Sequence, residues 1–509
     1  MKRWLDRVTG RITMYKLVLT ALGAISVFAL VLSLFGLLGP YTPVQLLATF
    51  AVSGIVTTGV GLAIAKLLRI TPHLESSFIT ASILFFIMQP TVDPLGLAGV
   101  ALAGAVASLS KYLIAVRGRH VFNPAAFGAF VAGLITFATL VRFSLPVWWV
   151  GTPALLPVVV LGGFLVLYRT QRLTMGVTFI LVAAIVGVGG ALLRGAAPSE
   201  ALSFALLSSP LIFFGCFMLT EPLTLPPRRW QQLVQAGIVA LLLSVPFTFG
   251  LISNTPEFAL LVGNLLAFLV GQRRGISLTY LGKKLIGAAT WELSFQSARA
   301  VRFLPGQYME LVLPHRQADF RGSRRYFSIS SAPGVDAPIT FAITKPSTSS
   351  SFKNALLELE PGAVVRGTGV GGDFALPADL TEPLLLVAGG IGITPFASQL
   401  AHAEARGDQR DITLVYALST TGDIPYASLL ERAGTHVVLF APEAPSPLPA
   451  GWEYAGSGRV TGDRLAEAVP DVAKRRAFVS GPPALVSDLR SALRSQGATR
   501  VHSDYFSGY

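Results

Sequence analysis

Residues 384–396 read LLLVAGGIGITPF, a run of apolar residues that leads through a cluster of glycines into the start of a helix. The apolar run predicts a buried strand. Glycines after such a strand let main-chain amides come close to the phosphate groups of a dinucleotide. The residues of this turn that we expect to contact a dinucleotide are Gly389, Gly390, Gly392, Thr394 and Pro395.

The sequence on either side of this turn predicts two subdomains of different type. Further strand-like runs follow it, such as ITLVYAL (412–418) and HVVLFA (436–441), and they alternate with helical segments. This alternation is typical of a parallel sheet. The preceding residues, including ITFAITK (339–345), alternate as short strands with Gly and Pro turns. We therefore expect an antiparallel β-barrel subdomain at 285–378 and an α/β nucleotide-binding subdomain at 379–509.

The first half of the chain has the composition of a membrane protein. The whole chain is 52% hydrophobic and only 13% charged, with a mean hydropathy of +0.61, which is outside the range of ordinary soluble domains. Before residue 285 there are 20 Lys and Arg against 6 Asp and Glu, and after it 20 against 21. Basic residues confined to short loops orient membrane helices, so no nucleic-acid partner is expected. Residues 1–275 are predicted to be a transmembrane domain, and 276–284 a linker.

Ten apolar stretches in this half approach the length of a membrane-spanning helix. They are 16–38, 44–65, 74–90, 95–115, 124–141, 147–168, 175–193, 201–219, 231–252 and 256–271. If the N-terminus is cytoplasmic, the cytoplasmic segments carry sixteen Lys and Arg, whereas the outer loops carry only Arg142 and Arg194. This bias predicts a polytopic α-helical protein of the inner membrane with about ten helices and both termini in the cytoplasm.

Cysteine and histidine are too scarce for several kinds of metal cofactor. Cys216 is the single cysteine, which excludes an internal disulfide and an iron–sulfur cluster ligated by four cysteines of this chain. Only His73 and His120 precede residue 285, so two haems with paired histidine ligands are excluded. We predict no metal site.

The motif RYFSISS (325–331) follows FLPGQYMELVLP and precedes STSSSFKNAL. This order resembles the ferredoxin–NADP reductase family, and the resemblance covers about 285–509. It implies FAD as cofactor, with Arg325 paired to the pyrophosphate, Phe327 against the isoalloxazine and Ser328 facing flavin N5. Since Phe327 replaces the more common tyrosine, Tyr326 is a further candidate for the flavin contact. The other FAD contacts that we expect are Thr344, Lys345, Ser350 and Ser351, although a plain helix cap is an alternative role for Ser350.

The same resemblance extends to FVSGPPALV (478–486), where a Cys/Ser-Gly-Pro turn lies by the nicotinamide ring in the family. Here the turn is Ser480, Gly481 and Pro482, with serine in place of the frequent cysteine. In parts of the family a terminal aromatic residue stacks on the isoalloxazine. The candidates for this contact are Phe506 and Tyr509, and the alternative is a disordered tail.

The residues after the second α/β strand bear on the choice between NADH and NADPH. No arginine lies between Val415 and Tyr426, and arginine usually contacts the 2′-phosphate of NADPH. This absence favours NADH. The hydroxyls of Ser419 and Thr420 are alternative ligands for the 2′-phosphate, so NADPH remains an alternative.

Three motifs of the membrane half occur at 75–90, 118–128 and 217–224: ESSFITASILFFIMQP, GRHVFNPAAFG and FMLTEPLT. Their order and spacing resemble the related flavin-carrying membrane proteins of the Rnf electron-transport complex and of the sodium-pumping NADH:quinone reductase. Those proteins carry covalent FMN on a Ser-Gly-Ala-Thr sequence that this chain lacks, so we expect a non-covalent FMN or riboflavin, or a quinone. The resemblance places Glu221 where the family has an aspartate. With Thr220 it is expected to form the membrane acceptor site and to handle a proton or cation.

Simpler roles remain for these polar residues. Asn123 before Pro124 is a good helix start, His120 suits a membrane interface, and Glu221 could pair with Arg228 or Arg229 at the surface. The sequence accordingly predicts a membrane-bound NAD(P)H oxidoreductase with a quinone or a redox protein as its partner. The alternatives are a membrane-anchored ferredoxin or flavodoxin reductase and a redox-driven ion-translocating protein.

Overall fold

In a computed structural model the chain forms two compact units, Met1–Arg274 and Gly275–Tyr509, here called the N-terminal and C-terminal units. The structure describes residues 14–68, 74–116, 119–139, 141–270, 275–315, 323–334, 336–345, 349–420, 422–498 and 500–505.

The N-terminal unit is built of helices. They are α1 (Met14–Leu34), α2 (Pro43–Leu67), α3 (Leu74–Ile87), α4 (Pro94–Leu113), α5 (Pro124–Thr139), α6 (Leu156–Thr170), α7 (Leu173–Leu193), α8 (Pro198–Ser203), α9 (Leu211–Phe213), α10 (Arg229–Ser244) and α11 (Pro256–Val270). Two π-helical turns, Phe204–Ser208 and Phe214–Met218, flank α9. Short 3₁₀ turns occupy Pro153–Leu155 and Pro222–Thr224, and two hairpins join β1 (Ala115–Val116) to β2 (Arg119–His120) and β3 (Thr248–Phe249) to β4 (Ile252–Ser253).

Local sequence signals start several of these helices. Thr42 caps α2 and Asp93 caps α4, and each cap is followed by a proline in the first turn. A side-chain oxygen at this position satisfies an amide that has no partner within the helix, and proline has no amide to satisfy. Helices α4 and α5 then pack closely, because a side chain on Gly128 would overlap the carbonyl oxygen of Ala103.

Five helices among the described residues are long and apolar enough to cross a membrane. They are Met14–Leu34, Pro43–Leu67, Pro94–Leu113, Pro153–Thr170 and Leu173–Leu193. Three shorter apolar helices are Leu74–Ile87, Pro124–Thr139 and Pro256–Val270. Helical structure occurs within each of the ten predicted stretches, but a domain with ten membrane-spanning helices stays a prediction.

The stretch 147–168, predicted as one helix, begins as irregular chain. The amides of residues 147 and 148 both donate to the carbonyl oxygen of Ile87 (2.9 Å each), at the end of α3. The indole of Trp149 donates to the carbonyl oxygen of Phe85 (2.5 Å). The prediction was wrong at the start of this helix, because buried acceptors on α3 hold this segment out of a helical conformation.

Six antiparallel strands form the first sheet of the C-terminal unit: β5 (Ile276–Gly287), β6 (Thr290–Ser297), β7 (Tyr308–Val312), β8 (Arg324–Ser328), β9 (Ile339–Thr344) and β10 (Val364–Gly371). Their order is β8-β7-β10-β5-β6-β9. A bridge between Ile329 and Phe341 and a hydrogen bond from the Ser330 amide to Thr340 O (2.9 Å) join the edge strands. The sheet thereby closes into a barrel, and helix α12 (Ser351–Leu357) follows β9.

Residues 276–284, predicted to be a linker, belong to strand β5. Ile276, Leu278 and Tyr280 alternate with more exposed residues and pack into the barrel core. The strand pairs with β6 on one side and β10 on the other. The linker prediction was wrong, because the period-two burial of residues 276–280 decides the structure. The barrel therefore begins at residue 276 and not at 285.

The second sheet is parallel throughout. Its elements are β11 (Leu384–Gly389), a 3₁₀ turn (Gly390–Ile393), α13 (Thr394–Ala405), β12 (Ile412–Ala417), α14 (Ala427–Arg432), β13 (His436–Phe440), β14 (Trp452–Tyr454), α15 (Gly462–Ala468), a 3₁₀ turn (Val472–Lys474), β15 (Arg476–Gly481), α16 (Pro483–Ser495) and β16 (Val501–Tyr505). The order is β14-β13-β12-β11-β15-β16. The strand order reverses between β11 and β15, and ligands of open α/β sheets bind at the carboxyl ends of strands at such a point.

Gly306 lies where the barrel meets the α/β subdomain and has no room for a side chain. Its φ is +91°, and a Cβ would overlap Phe374 O and the Gln399 amide. Gly362 has a similar φ of +92° but open space around it.

We expect Gly306→Ala to lower the free energy of unfolding by about 1–3 kcal/mol more than Gly362→Ala, because only the first adds steric overlap to the shared backbone strain. Thermal unfolding of the two purified variants measures the difference, and equal midpoints would contradict close packing at Gly306.

Candidate functional site

Strand β8 carries the predicted flavin residues, and these differ in exposure. Arg325 and Ser328 are buried, at 5% and 4% exposure, whereas Tyr326 is 53% exposed. The Arg325 guanidinium lies over the ring of Phe352, 5.3 Å from its centroid. Phe327 stacks on the same ring, with centroids 5.9 Å apart. Phe352 therefore brings the arginine and the aromatic residue of the motif together beside α12.

Helix α12 begins with the predicted serines, and each has a contact within the protein. Ser350 Oγ accepts the amide of Lys353 (3.3 Å), so the capping role is present. Ser351 Oγ lies 3.0 Å from Nε2 of His315, a residue that the sequence analysis did not single out. The Lys353 ammonium donates to Thr344 O (3.1 Å), which ties α12 to the end of β9.

Thr344 and Lys345, the two predicted FAD contacts at the end of β9, have structural contacts within the barrel. Thr344 Oγ1 lies 3.2 Å from Thr290 Oγ1 on the neighbouring strand. The amide of Lys345 donates to Ala289 O (2.9 Å), and the residue is exposed. Their contacts hold β9 to the β5–β6 turn, and their predicted roles in FAD binding stay predictions.

Ser328 offers a direct test of whether a flavin fits. Its hydroxyl is buried and has no hydrogen-bond partner within the described structure. A buried hydroxyl without a partner costs free energy, so such groups usually meet a ligand or water. Ser328 thus suits the predicted contact with flavin N5, next to Arg325 and Phe327.

The glycine turn after β11 packs directly on the turn after β15. A Cβ on Gly392 would overlap the carbonyl oxygen of Ser480, and one on Gly389 would lie 3.1 Å from Cδ of Pro482. Gly481 approaches the main chain of Gly389 in the same way. The predicted nucleotide residues from two distant segments therefore meet at the carboxyl ends of β11 and β15, where the strand order reverses.

The remaining residues of the glycine turn shape the start of α13. Gly390 has a φ of +53°, a conformation that favours glycine. Thr394 Oγ1 donates to Ile391 O (3.0 Å), and Pro395 lies buried in the first turn of the helix. They leave the amides at the start of this helix directed toward the strand ends.

A row of side chains crosses the sheet at this level. The register places Tyr416, Ala388, Ser480 and Asp504 opposite one another on β12, β11, β15 and β16. The hydroxyls of Ser480 and Tyr416 are buried without a described partner, as expected where a ligand completes the site. The sequence analysis missed Asp504, because only the pairing of β16 with β15 places it beside Ser480. Phe506 and Tyr509 lie outside the described residues.

Glu221 in the N-terminal unit is held by residues of a second motif. Its Oε1 lies 2.9 Å from Nε2 of His120, and its Oε2 accepts the side-chain amide of Asn123 (2.9 Å). The Asn123 main-chain amide donates to Oδ1 of Asn264 (2.8 Å) on α11. Glu221 is thus tied to the start of α5 and, through Asn123, to α11.

Lys111 on α4 contacts the first motif. Its ammonium donates to the main-chain oxygen of Ser76 (2.9 Å) and lies 3.2 Å from the hydroxyl of that residue. Asn264, which accepts the amide of Asn123, has a buried Nδ2 without a described partner. Gln235 donates to the carbonyl oxygen of the neighbouring Gly263 (3.1 Å), and its Oε1 is also buried without a described partner. The second and third membrane motifs therefore meet at Glu221, close to an unused donor and an unused acceptor.

Thr220 lies beside this cluster and is buried. Its hydroxyl donates to Cys216 O (2.9 Å) within the π-helical turn. π-helical turns are frequent at functional sites, and Pro222 prevents an ordinary helix from continuing past Glu221.

Comparison with known proteins identifies the type of the C-terminal unit. The family described as "Oxidoreductase NAD-binding domain" matches residues 386–491. The chain is 26% identical over 204 residues to the reductase component of propane 2-monooxygenase of Rhodococcus jostii, covering 39% of this chain and 53% of that protein. It is 27% identical over 219 residues to the flavohemoprotein of Bordetella pertussis, covering 40% and 53%.

A third relative is the ferredoxin–NAD(+) reductase component of the alkene monooxygenase system of Xanthobacter autotrophicus, 29% identical over 234 residues and covering 44% of this chain and 68% of that protein. The chain spans about half the length of the first two relatives. The C-terminal half of this chain is therefore a reductase module similar to ferredoxin–NADP reductases, and it contains an oxidoreductase NAD-binding domain.

Proposed function

We propose that the chain is a membrane-bound FAD-dependent NAD(P)H oxidoreductase that delivers electrons to a flavin or quinone in the membrane. The observation that carries this proposal is the contact between the Gly389–Gly392 and Ser480–Pro482 turns, both within the residues that match an NAD-binding domain. When bound, FAD accepts a hydride from NAD(P)H and passes its two electrons on singly or as a pair.

The barrel residues have distinct roles in this proposal. Arg325 pairs with the pyrophosphate through its forked guanidinium. Phe327, which packs on the buried ring of Phe352, would lie against the isoalloxazine, and the hydroxyl of Ser328, which has no described partner, would bond to flavin N5. Ser350, Ser351, Thr344 and Lys345 shape the end of the barrel where the pyrophosphate is proposed to lie.

The α/β residues orient the nicotinamide. Glycine main-chain amides at the start of α13 receive the phosphates, while the free hydroxyl of Ser480 bonds to the nicotinamide side. The nucleotide is proposed to be NADH rather than NADPH, since no arginine lies between Val415 and Tyr426. Phe506 or Tyr509 is proposed to cover the flavin when the nucleotide is absent.

The membrane acceptor is proposed to bind at the polar cluster around Glu221. Reduction of a quinone takes two protons with two electrons, so a proton donor is needed at that site. Glu221 and His120 form a pair that can hold and pass a proton. The free groups of Asn264 and Gln235 are suited to bind a carbonyl and a hydroxyl or N–H group of the acceptor. This cluster also supports the resemblance of the N-terminal unit to the membrane proteins of the Rnf complex and the sodium-pumping reductase.

A second candidate function is a membrane-anchored reductase of a soluble redox protein. The names of the relatives favour it, because two of them are reductase components of monooxygenase systems. For both functions, the five long apolar helices support a location in the inner membrane. Activity with a ferredoxin or flavodoxin but none with quinone would favour this second function.

Loss of the Arg325 guanidinium is expected to release FAD. Arg325→Ala should weaken FAD binding about a hundredfold, because two charged hydrogen bonds to the pyrophosphate are lost, and Arg325→Lys should restore only part of the affinity. Flavin absorbance per protein measures the effect after gel filtration. Arg366→Ala removes an exposed arginine of the same barrel as the control. Normal flavin content in Arg325→Ala would contradict the assignment.

Replacement of Glu221 is expected to separate two activities. Glu221→Gln keeps the size of the side chain but cannot donate a carboxyl proton, so quinone reduction by NADH in vesicles should fall about a hundredfold. Reduction of a soluble dye by the same protein should stay unchanged, since it needs only the C-terminal unit. Glu200→Gln, at an exposed position, is the matched control. Equal loss of both activities, or of neither, would rule out a role for Glu221 at the acceptor site.

A further inference from the structure

Tyr426 joins the nucleotide-binding subdomain to the barrel through a hydrogen bond that no motif predicts. Its hydroxyl donates to Oε1 of Glu292 on β6 (3.0 Å). The two residues are 134 positions apart in the chain. Burial around the hydroxyl raises the pKa of Tyr426 well above its ordinary value, and the Glu292 carboxylate raises it further. The phenol therefore stays protonated, and able to donate, throughout the neutral pH range.

Glu292 also contacts the segment that follows β8, the strand that carries the predicted flavin residues. The same Oε1 accepts the hydroxyl of Ser330 (3.3 Å), which lies 2.7 Å from Thr340 Oγ1. Ser330 is two residues beyond Ser328 and is 3% exposed. The hydrogen bond from its amide to Thr340 O helps close the barrel. The position of the Ser328–Ser330 segment therefore depends on the acceptor that Tyr426 also uses.

The loop before Tyr426 is fixed against the barrel and strained. Tyr426 has a φ of +67°, which is uncommon for a residue with a bulky side chain and persists only where surrounding contacts enforce it. A Cβ on Gly287 would lie 2.7 Å from Cγ of Pro425, so the loop rests directly on the β5–β6 turn. This loop follows β12, whose carboxyl end lies at the nucleotide edge of the sheet.

We propose that Tyr426 and Glu292 are positioning residues that hold the nicotinamide subdomain at hydride-transfer distance from the flavin-binding strand. The proposal rests on the proposed NAD(P)H oxidation. The pair is proposed to contact neither the nicotinamide nor the flavin. It fixes the distance and angle between two sites that lie on different subdomains, and hydride transfer is sensitive to small errors in that geometry. The glycine turn and the Ser480 turn proposed to bind the nucleotide both lie in the α/β subdomain, so loss of the pair should lower the rate of hydride transfer more than the affinity for the nucleotide.

The test is anaerobic stopped-flow reduction of the flavin by NADH and by NADPH in the full-length protein. In Tyr426→Phe we expect the limiting rate of flavin reduction to fall about tenfold, equivalent to one hydrogen bond to a charged group. The dissociation constant of the nucleotide and the flavin content should change less than about twofold, because the proposed pair contacts neither the nucleotide nor the flavin. The long-wavelength absorbance from nicotinamide stacked on flavin should weaken in parallel with the rate.

Substitutions at Glu292 and a matched tyrosine separate positioning from general stability. Glu292→Gln keeps an oxygen acceptor and should retain most of the rate, whereas Glu292→Leu should lower the rate at least as much as Tyr426→Phe, because it also removes the acceptor of Ser330. Tyr454→Phe removes a hydroxyl that donates to Ala441 O (3.0 Å) inside the α/β subdomain, and it should leave the rate and the absorbance band unchanged.

Each alternative outcome has a distinct meaning. A wild-type rate and absorbance band in Tyr426→Phe, or equal rates in Glu292→Gln and Glu292→Leu, would overturn this inference alone. A wild-type protein whose bound flavin neither nucleotide reduces would overturn the proposed function and this inference together. Loss of flavin from Glu292→Leu but not from Tyr426→Phe would show that the carboxylate supports the barrel only, and would also overturn the inference.

Discussion

The packing of Gly392 against the main chain of Ser480 is the constraint on which the nucleotide-binding half of the C-terminal unit depends. Adjacent parallel strands end at the same edge of a sheet, so the turns after β11 and β15 lie in the same small volume. Only glycine fits at position 392, because any side chain there would overlap the carbonyl oxygen of Ser480. The start of α13 can then lie close to the strand ends, and the buried Ser480 hydroxyl is left without a described partner at the place where a ligand would bind.

Sequence reasoning succeeded where the signal was local. The strand, glycine turn and helix at 384–396 follow from an apolar run and residue types at fixed positions. It failed where a distant partner decides the outcome. Asp504 lies beside Ser480 because β16 pairs with β15. No pattern within a single segment contains that information.

In the polar cluster of the N-terminal unit, a helix cap and a contact with Glu221 belong to one residue. Asn123 uses its Oδ1 to cap α5 by accepting the amide of Ala126 (3.1 Å). It uses its Nδ2 to bind Glu221 and its main-chain amide to bind Asn264. The helix start that the sequence predicted is therefore the element that presents the donor to Glu221. Even for a partly buried carboxylate such as Glu221, placement in an apolar unit is costly unless such donors are fixed in advance.

The extent of β5 also decides how the C-terminal unit can be produced as a separate protein. The strand lies between β10 and β6 in the barrel, so a fragment that begins near 285 would lose most of it. Two strands would then expose unpaired N–H and C=O groups along facing edges, and such edges favour pairing between molecules and aggregation. A fragment that begins at Gly275 retains the whole strand and avoids these open edges. Insolubility of a shorter fragment would therefore report a broken barrel, and would not show that the unit needs a lipid environment to fold.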